Sequence, residues 1–147
     1  MSKIPPGIYR LEPVNRDSSP TGLYATYQGA GEPITTIPSG PKQTWEFTPA
    51  EDGDGYNVRA VEVNENFEES FLRNEYLNST VSLGTRTFLR ITQRQGSDAY
   101  TISGPYRAGT YGAADWIGVK DKRLVMRTMH EPEQTDLEYY LWNIERA

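Results

Sequence analysis

The sequence predicts an all-β fold assembled from three copies of one unit, on three observations. First, 13 Gly and 10 Pro punctuate the chain too often for long helices, because both residues break helix interiors. Second, the runs between them are rich in β-branched and aromatic residues and are bounded by turn formers, which reads as strands. Third, the chain repeats. Tyr9-Arg10-Leu11, Tyr56-Asn57-Val58 and Tyr100-Thr101-Ile102 share a Tyr-x-aliphatic pattern, with starts 47 and 44 residues apart. Trp45-Glu46-Phe47, Leu89-Arg90-Ile91 and Trp142-Asn143-Ile144 share a pair of large apolar residues around a spacer. The step from Trp45 to Tyr56 and the step from Leu89 to Tyr100 are both 11 residues. Alternation at period two puts both apolar members of a triplet on one strand face. Three such units, each covering its neighbours' apolar faces, predict a β-trefoil: three four-stranded repeats, with a six-stranded barrel capped by three hairpins. Closure would also remove exposed sheet edges. The competing architecture is an irregular β-sandwich with accidental periodicity.

In chain order, the expected strands are Gly7–Val14, Leu23–Gln28, Thr44–Thr48, Gly55–Val63, Phe88–Thr92, Tyr100–Ser103, Leu124–Met129 and Tyr139–Ile144. Each contributes Ile, Val, Leu, Thr or aromatic residues, the types that suit a pleated, half-buried surface. Only Glu65–Tyr76 could pass for a helix, through the spacing of Phe67, Phe71 and Leu72. The 147 residues are read as one domain, with repeats at about 1–50, 51–95 and 96–147, a length one core commonly serves.

Composition excludes several functions. With no Cys there is no disulfide, thiolate metal site or cysteine nucleophile. A single histidine, His130, rules out a multi-histidine metal centre and weakens a Ser-His hydrolase. The net charge of −5 argues against general nucleic-acid or anionic-membrane binding. No start-proximal apolar stretch suits a secretory signal and no apolar run is long enough to span a bilayer. A soluble cytoplasmic monomer is expected, and Asn78-Ser79-Thr80 is then an unused glycosylation pattern.

Gly7-Ile8-Tyr9-Arg10-Leu11, Leu23-Tyr24-Ala25-Thr26-Tyr27-Gln28-Gly29, Pro33-Ile34-Thr35, Thr44-Trp45-Glu46-Phe47 and Asp54-Gly55-Tyr56-Asn57-Val58 resemble, in order and spacing, the fungal mycocypins. This is the clitocypin–macrocypin group of β-trefoil protease inhibitors, with the cospin–cnispin trypsin inhibitors related to it. Leu124-Val125-Met126-Arg127 and Leu141-Trp142-Asn143-Ile144 extend the likeness loosely to the end. The resemblance implies a cytosolic defence protein that inhibits proteases through surface loops, with no cofactor and no catalysis.

Loops on a closed barrel can carry binding residues without disturbing the core. The first two strands are joined by Asn15-Arg16-Asp17-Ser18-Ser19-Pro20-Thr21-Gly22, and strands three and four by Ser39-Gly40-Pro41-Lys42-Gln43. By resemblance these two loops form the wedge that blocks papain-like clefts, although the second is shorter here. Val63-Asn64-Glu65-Asn66-Phe67 would join strands five and six. There Asn64, beside Glu65, lines up with the asparagine such proteins offer to legumain. Trypsin-like proteases, the first expected target, need an Arg or Lys for their specificity pocket. Arg16, Lys42, Arg86, Arg123 and Arg127 lie on expected turns. Asp17 follows Arg16 unfavourably, whereas Arg127 precedes Thr128 near the loop to the last strand, one place where related inhibitors carry the specificity residue. The other is Gln28-Gly29-Ala30 and its neighbours, which hold no basic residue. Each of these residues has a plainer reading as a turn former or solvated charge.

A carbohydrate-binding, ricin-B-like lectin is the rival function, favoured by Gln43-Thr44-Trp45 and by Tyr106, Tyr111 and Trp116. Glu51-Asp52-Gly53-Asp54-Gly55 lacks the remaining ligands of a calcium loop and is read as a turn. His130 is read as an exposed loop residue.

Overall fold

The computed structural model describes residues 4–15, 19–29, 32–50, 55–61, 71–75, 80–84, 88–94, 96, 98–104, 113–130 and 140–147. Twelve strands lie among them. They are β1 (Gly7–Pro13), β2 (Tyr24–Thr26), β3 (Thr35–Ile37), β4 (Trp45–Pro49), β5 (Tyr56–Ala60) and β6 (Phe71–Glu75). There follow β7 (Thr80–Gly84), β8 (Arg90–Gln93), β9 (Tyr100–Ser103), β10 (Ala114–Lys120), β11 (Arg123–Met129) and β12 (Trp142–Arg146).

Six strands form a ring. β1 pairs antiparallel with β12 and β4, β4 with β5, β8 with β9, and β9 with β12. The seam between β5 and β8 closes at a Tyr56–Leu89 bridge, in which each N–H donates to the other residue's carbonyl at 2.8 Å. The other six strands make three hairpins: β2–β3, β6–β7 and β10–β11. These converge at Ile34, Val81 and Leu124, all 0% exposed. Ile34 N–H donates to the Val81 carbonyl at 2.8 Å, and Leu124 N–H to the Ile34 carbonyl at 2.9 Å. A six-stranded barrel under three hairpins is a β-trefoil.

Alternation builds the core. Tyr9 and Leu11 on β1, Trp45 and Phe47 on β4, and Tyr56 and Val58 on β5 all point inward. The Phe47 ring centroid lies 5.1 Å from that of Tyr9 and 5.9 Å from that of Tyr56, both pairs tilted. Each buried indole also ties the barrel to a hairpin strand: Trp45 Nε1 donates to the Ala25 carbonyl at 3.1 Å and Trp142 Nε1 to that of Ile117 at 3.0 Å. Two tyrosine hydroxyls hold the start of the described chain. Tyr9 donates to the Pro5 carbonyl at 2.7 Å, and Tyr56 to the Ile4 carbonyl at 2.8 Å.

Four strands are additional to those expected: β3, β6, β7 and β10. In the one segment that could pass for a helix, residues 71–75 form β6, paired with β7, in keeping with the all-β reading; residues 65–70 and 76 lie outside the described set. Sheet pairing overrides the weak helical periodicity there.

Candidate functional site

The first connection, between β1 and β2, is braced at several points. Asn15 N–H donates to the Ser19 carbonyl at 3.0 Å, and Asn15 Nδ2 to Ser19 Oγ at 3.0 Å. Val14 N–H donates to the Leu141 carbonyl at 3.0 Å, and Thr21 Oγ1 to the Pro13 carbonyl at 2.6 Å. Gly22 N–H donates to Glu12 Oε2 at 2.9 Å, while Asn143 Nδ2 donates to Glu12 Oε1 at 3.2 Å. Glu12 is only 3% exposed. Both carboxylate oxygens accept N–H bonds, which offsets the cost of burying them.

Gln43 organises the connection between β3 and β4. Buried to 1% exposure, its Nε2 donates to Pro38 O at 2.8 Å and Thr26 Oγ1 at 3.1 Å. Its Oε1 accepts from Gly40 N–H at 2.9 Å and from Arg10 Nη2 at 3.2 Å. Arg10 Nη2 also donates to Ser39 Oγ at 2.8 Å, and its guanidinium stands 3.7 Å from the Tyr24 ring centroid. Strand geometry puts Arg10 and Glu12 on the same face of β1, opposite the core-facing Tyr9 and Leu11. The two connections are therefore fixed to one strand by neighbouring outward side chains.

Arg16, Asp17, Ser18, Ala30, Asn64 and Glu65 lie outside the described residues, as do Arg86, Tyr106, Tyr111 and the Asp52–Asp54 carboxylates. Gln28 is exposed just after β2, and its Nε2 donates to Thr35 Oγ1 at 2.6 Å. Gly29 has φ 136° and its carbonyl accepts from Glu32 N–H at 3.1 Å.

Arg127 and Thr128 lie within β11, opposite Trp116 and Asp115 on β10. This agrees with the expected strand Leu124–Met129 and corrects only the placing of Arg127 on a turn: the β10–β11 hairpin runs on to the Ala114–Met129 pair, and Thr128 Oγ1 bonds to Asp115 Oδ1. Arg123 likewise opens β11, paired with both Lys120 and Thr35. Lys42 has φ 62°, and its carbonyl accepts from Tyr27 N–H at 3.0 Å. A substrate-like inhibitory loop needs an extended backbone that an enzyme can pair with; Lys42, with its positive φ, lacks it, whereas Arg123 and Arg127 are extended but already paired with β10 on one side.

Gln43-Thr44-Trp45 is a structural motif here. Gln43 and Trp45 are both buried, and half-buried Trp116 spends its Nε1–H on the Met129 carbonyl at 2.8 Å. His130 is exposed. Among the described residues no group of three His, Cys, Asp or Glu side chains is arranged to hold a metal. Sequence reasoning missed Arg10 and Glu12 because alternating charges on a strand ordinarily mark a solvated face. Nothing in the sequence marks Glu12 as buried.

A closed β-trefoil with two braced connections on one strand defines a scaffold that presents loops. No family profile matches the chain. It is 30% identical over 136 residues to clitocypin-2 of Clitocybe nebularis, covering 86% of this chain and 88% of the relative. It is 29% identical, over the same shares, to clitocypin-4/-3 and to clitocypin-5 of that fungus. The chain belongs to the clitocypin group, a family of β-trefoil protease inhibitors and not of enzymes.

Proposed function

We propose that this protein inhibits papain-like cysteine proteases, with its β1–β2 and β3–β4 connections acting as a wedge in the enzyme cleft. The observation that carries the reading is that both connections are braced on the outward face of β1, through Glu12 to Gly22 and through Arg10 to Ser39 and Gln43. Binding loops ordered before association lose less entropy on binding. The resemblance assigns the wedge role to the same two loops. A monomer in the cytoplasm suits a closed barrel and a chain without Cys.

Trypsin-like proteases are the second reading. The cations considered for their pocket are Arg16, Lys42, Arg86, Arg123 and Arg127, of which Lys42, Arg123 and Arg127 have their backbones engaged within the barrel or its hairpins. Legumain inhibition through Asn64 is the third.

Titrating the protein against papain, legumain and trypsin, beside a glycan array, tests the proposal. Stoichiometric inhibition of papain is expected. Full papain activity at saturating protein, with a glycan bound instead, would return the lectin reading.

A further inference from the structure

We infer that Arg10 and Glu12 are paired positioning residues, which set the two inhibitory loops relative to each other from a single strand. The inference rests on the wedge reading above and adds the groups that hold the wedge in shape. β1 is an apt frame because Tyr9 and Leu11 pin it into the core and because it is hydrogen-bonded on both sides, to β4 and to β12. The origins of the two outward side chains are thereby fixed, two residues apart.

Their chemistry differs in the way the two loops require. The Glu12 carboxylate can only accept, and it takes Gly22 N–H at 2.9 Å on one oxygen while Asn143 Nδ2 holds the other at 3.2 Å. Asn143 lies on β12, so the anchor is itself anchored. The Arg10 guanidinium can only donate, and it meets two acceptors of the β3–β4 connection, Ser39 Oγ and Gln43 Oε1. Its plane is steadied by the Tyr24 ring. Gln43 passes this constraint on to Gly40 N–H and to the Pro38 carbonyl. By contrast the Glu46–Arg59 ion pair joins β4 to β5.

The test uses the full-length chain as Glu12→Ala, Glu12→Gln, Arg10→Ala and Arg10→Lys. Dissociation of the papain complex is followed well below each variant's melting temperature, together with amide exchange at Gly22 and Gly40. Glu12→Ala and Arg10→Ala should each release papain about tenfold faster, as for loss of a charge-assisted hydrogen bond. Exchange should rise at Gly22 alone in Glu12→Ala and at Gly40 alone in Arg10→Ala. A general loss of stability would raise it throughout. Glu12→Gln keeps an oxygen for Gly22 N–H but turns an NH2 group toward Asn143 Nδ2, so it should recover the rate in part while exchange at Gly22 stays near the wild-type level. Arg10→Lys should recover only in part, since an ammonium neither forks nor stacks like a guanidinium. Folded alanine variants with wild-type release rates, or with unchanged exchange at both glycines, would overturn the inference. A wild-type chain that leaves papain fully active overturns the wedge reading itself, which is a distinguishable result.

Discussion

Three aromatic residues show what single side chains contribute here. Trp45 and Trp142 are each 0% exposed, and each indole N–H reaches a backbone carbonyl of a hairpin strand. Truncating either to Ala removes a large packed volume and leaves that carbonyl without its donor. A loss of about 3–5 kcal/mol is expected in denaturant unfolding; a loss under about 1 kcal/mol would mean that the barrel does not depend on them. Tyr56 makes a pH prediction. Burial, the largest cause, raises its phenol above the ordinary value of 10.0. As pH rises past that ordinary value the unfolded chain gives up this proton while the native chain keeps it, so stability falls. The contribution is whole below about pH 10 and is lost as pH climbs through the raised native value. Melts recorded from neutral to strongly alkaline pH should fall less steeply for Tyr56→Phe than for wild type. At neutral pH the same variant should lose about 0.5–1.5 kcal/mol, for the hydrogen bond to Ile4.

At the scale of elements, the barrel seam and one hairpin tip are the sensitive places. A Cβ on Gly55 would stand 2.5 Å from the Leu89 carbonyl oxygen and 2.5 Å from the Phe88 ring, directly at the Tyr56–Leu89 closure. Gly55→Ala should cost about 1–3 kcal/mol by overpacking. Gly40→Ala, whose nearest neighbour would be 3.8 Å away, should stay within about 0.5 kcal/mol in the same melts. The β10–β11 turn has the opposite character. Asp121 and Lys122 both have positive φ, 53° and 63°, the conformation of a two-residue turn that favours Gly at its second place. Lys122→Gly should therefore gain about 1 kcal/mol and raise the melting temperature by about 2–4 °C. Legibility in the sequence follows the same physics. β1, β4, β5 and β9 could be read because aromatic and aliphatic residues alternate in them. β10 could not, since Ala114, Asp115 and Gly118 are poor strand formers that this hairpin recruits through pairing and burial. β3 is three residues long and is followed by Pro38, too short to show a period.

For the whole molecule, the repeat pattern was enough to reach the trefoil, because three-fold closure must place equivalent apolar residues at equivalent steps. The site was less legible. Turn composition pointed to the connections as the functional parts, yet their anchors, Arg10 and Glu12, sit on a strand. If function is borne by loops on a rigid barrel, exchanging one loop's chemistry should remove one activity and leave the fold and the other activities intact. Asn64→Ala should thus abolish any legumain inhibition, because a pocket built for an Asn side chain is left with unpaired polar groups, while papain inhibition persists. Arg127→Ala, facing Trp116 across the hairpin, should leave trypsin inhibition unchanged. Loss of trypsin inhibition in a folded Arg127→Ala protein would instead assign that target to the hairpin face. With no Cys and one His, papain inhibition should withstand dithiothreitol and EDTA equally. Its loss in EDTA alone would show that a bound cation, with Asp52 and Asp54 as the first ligands to test, supports the loops.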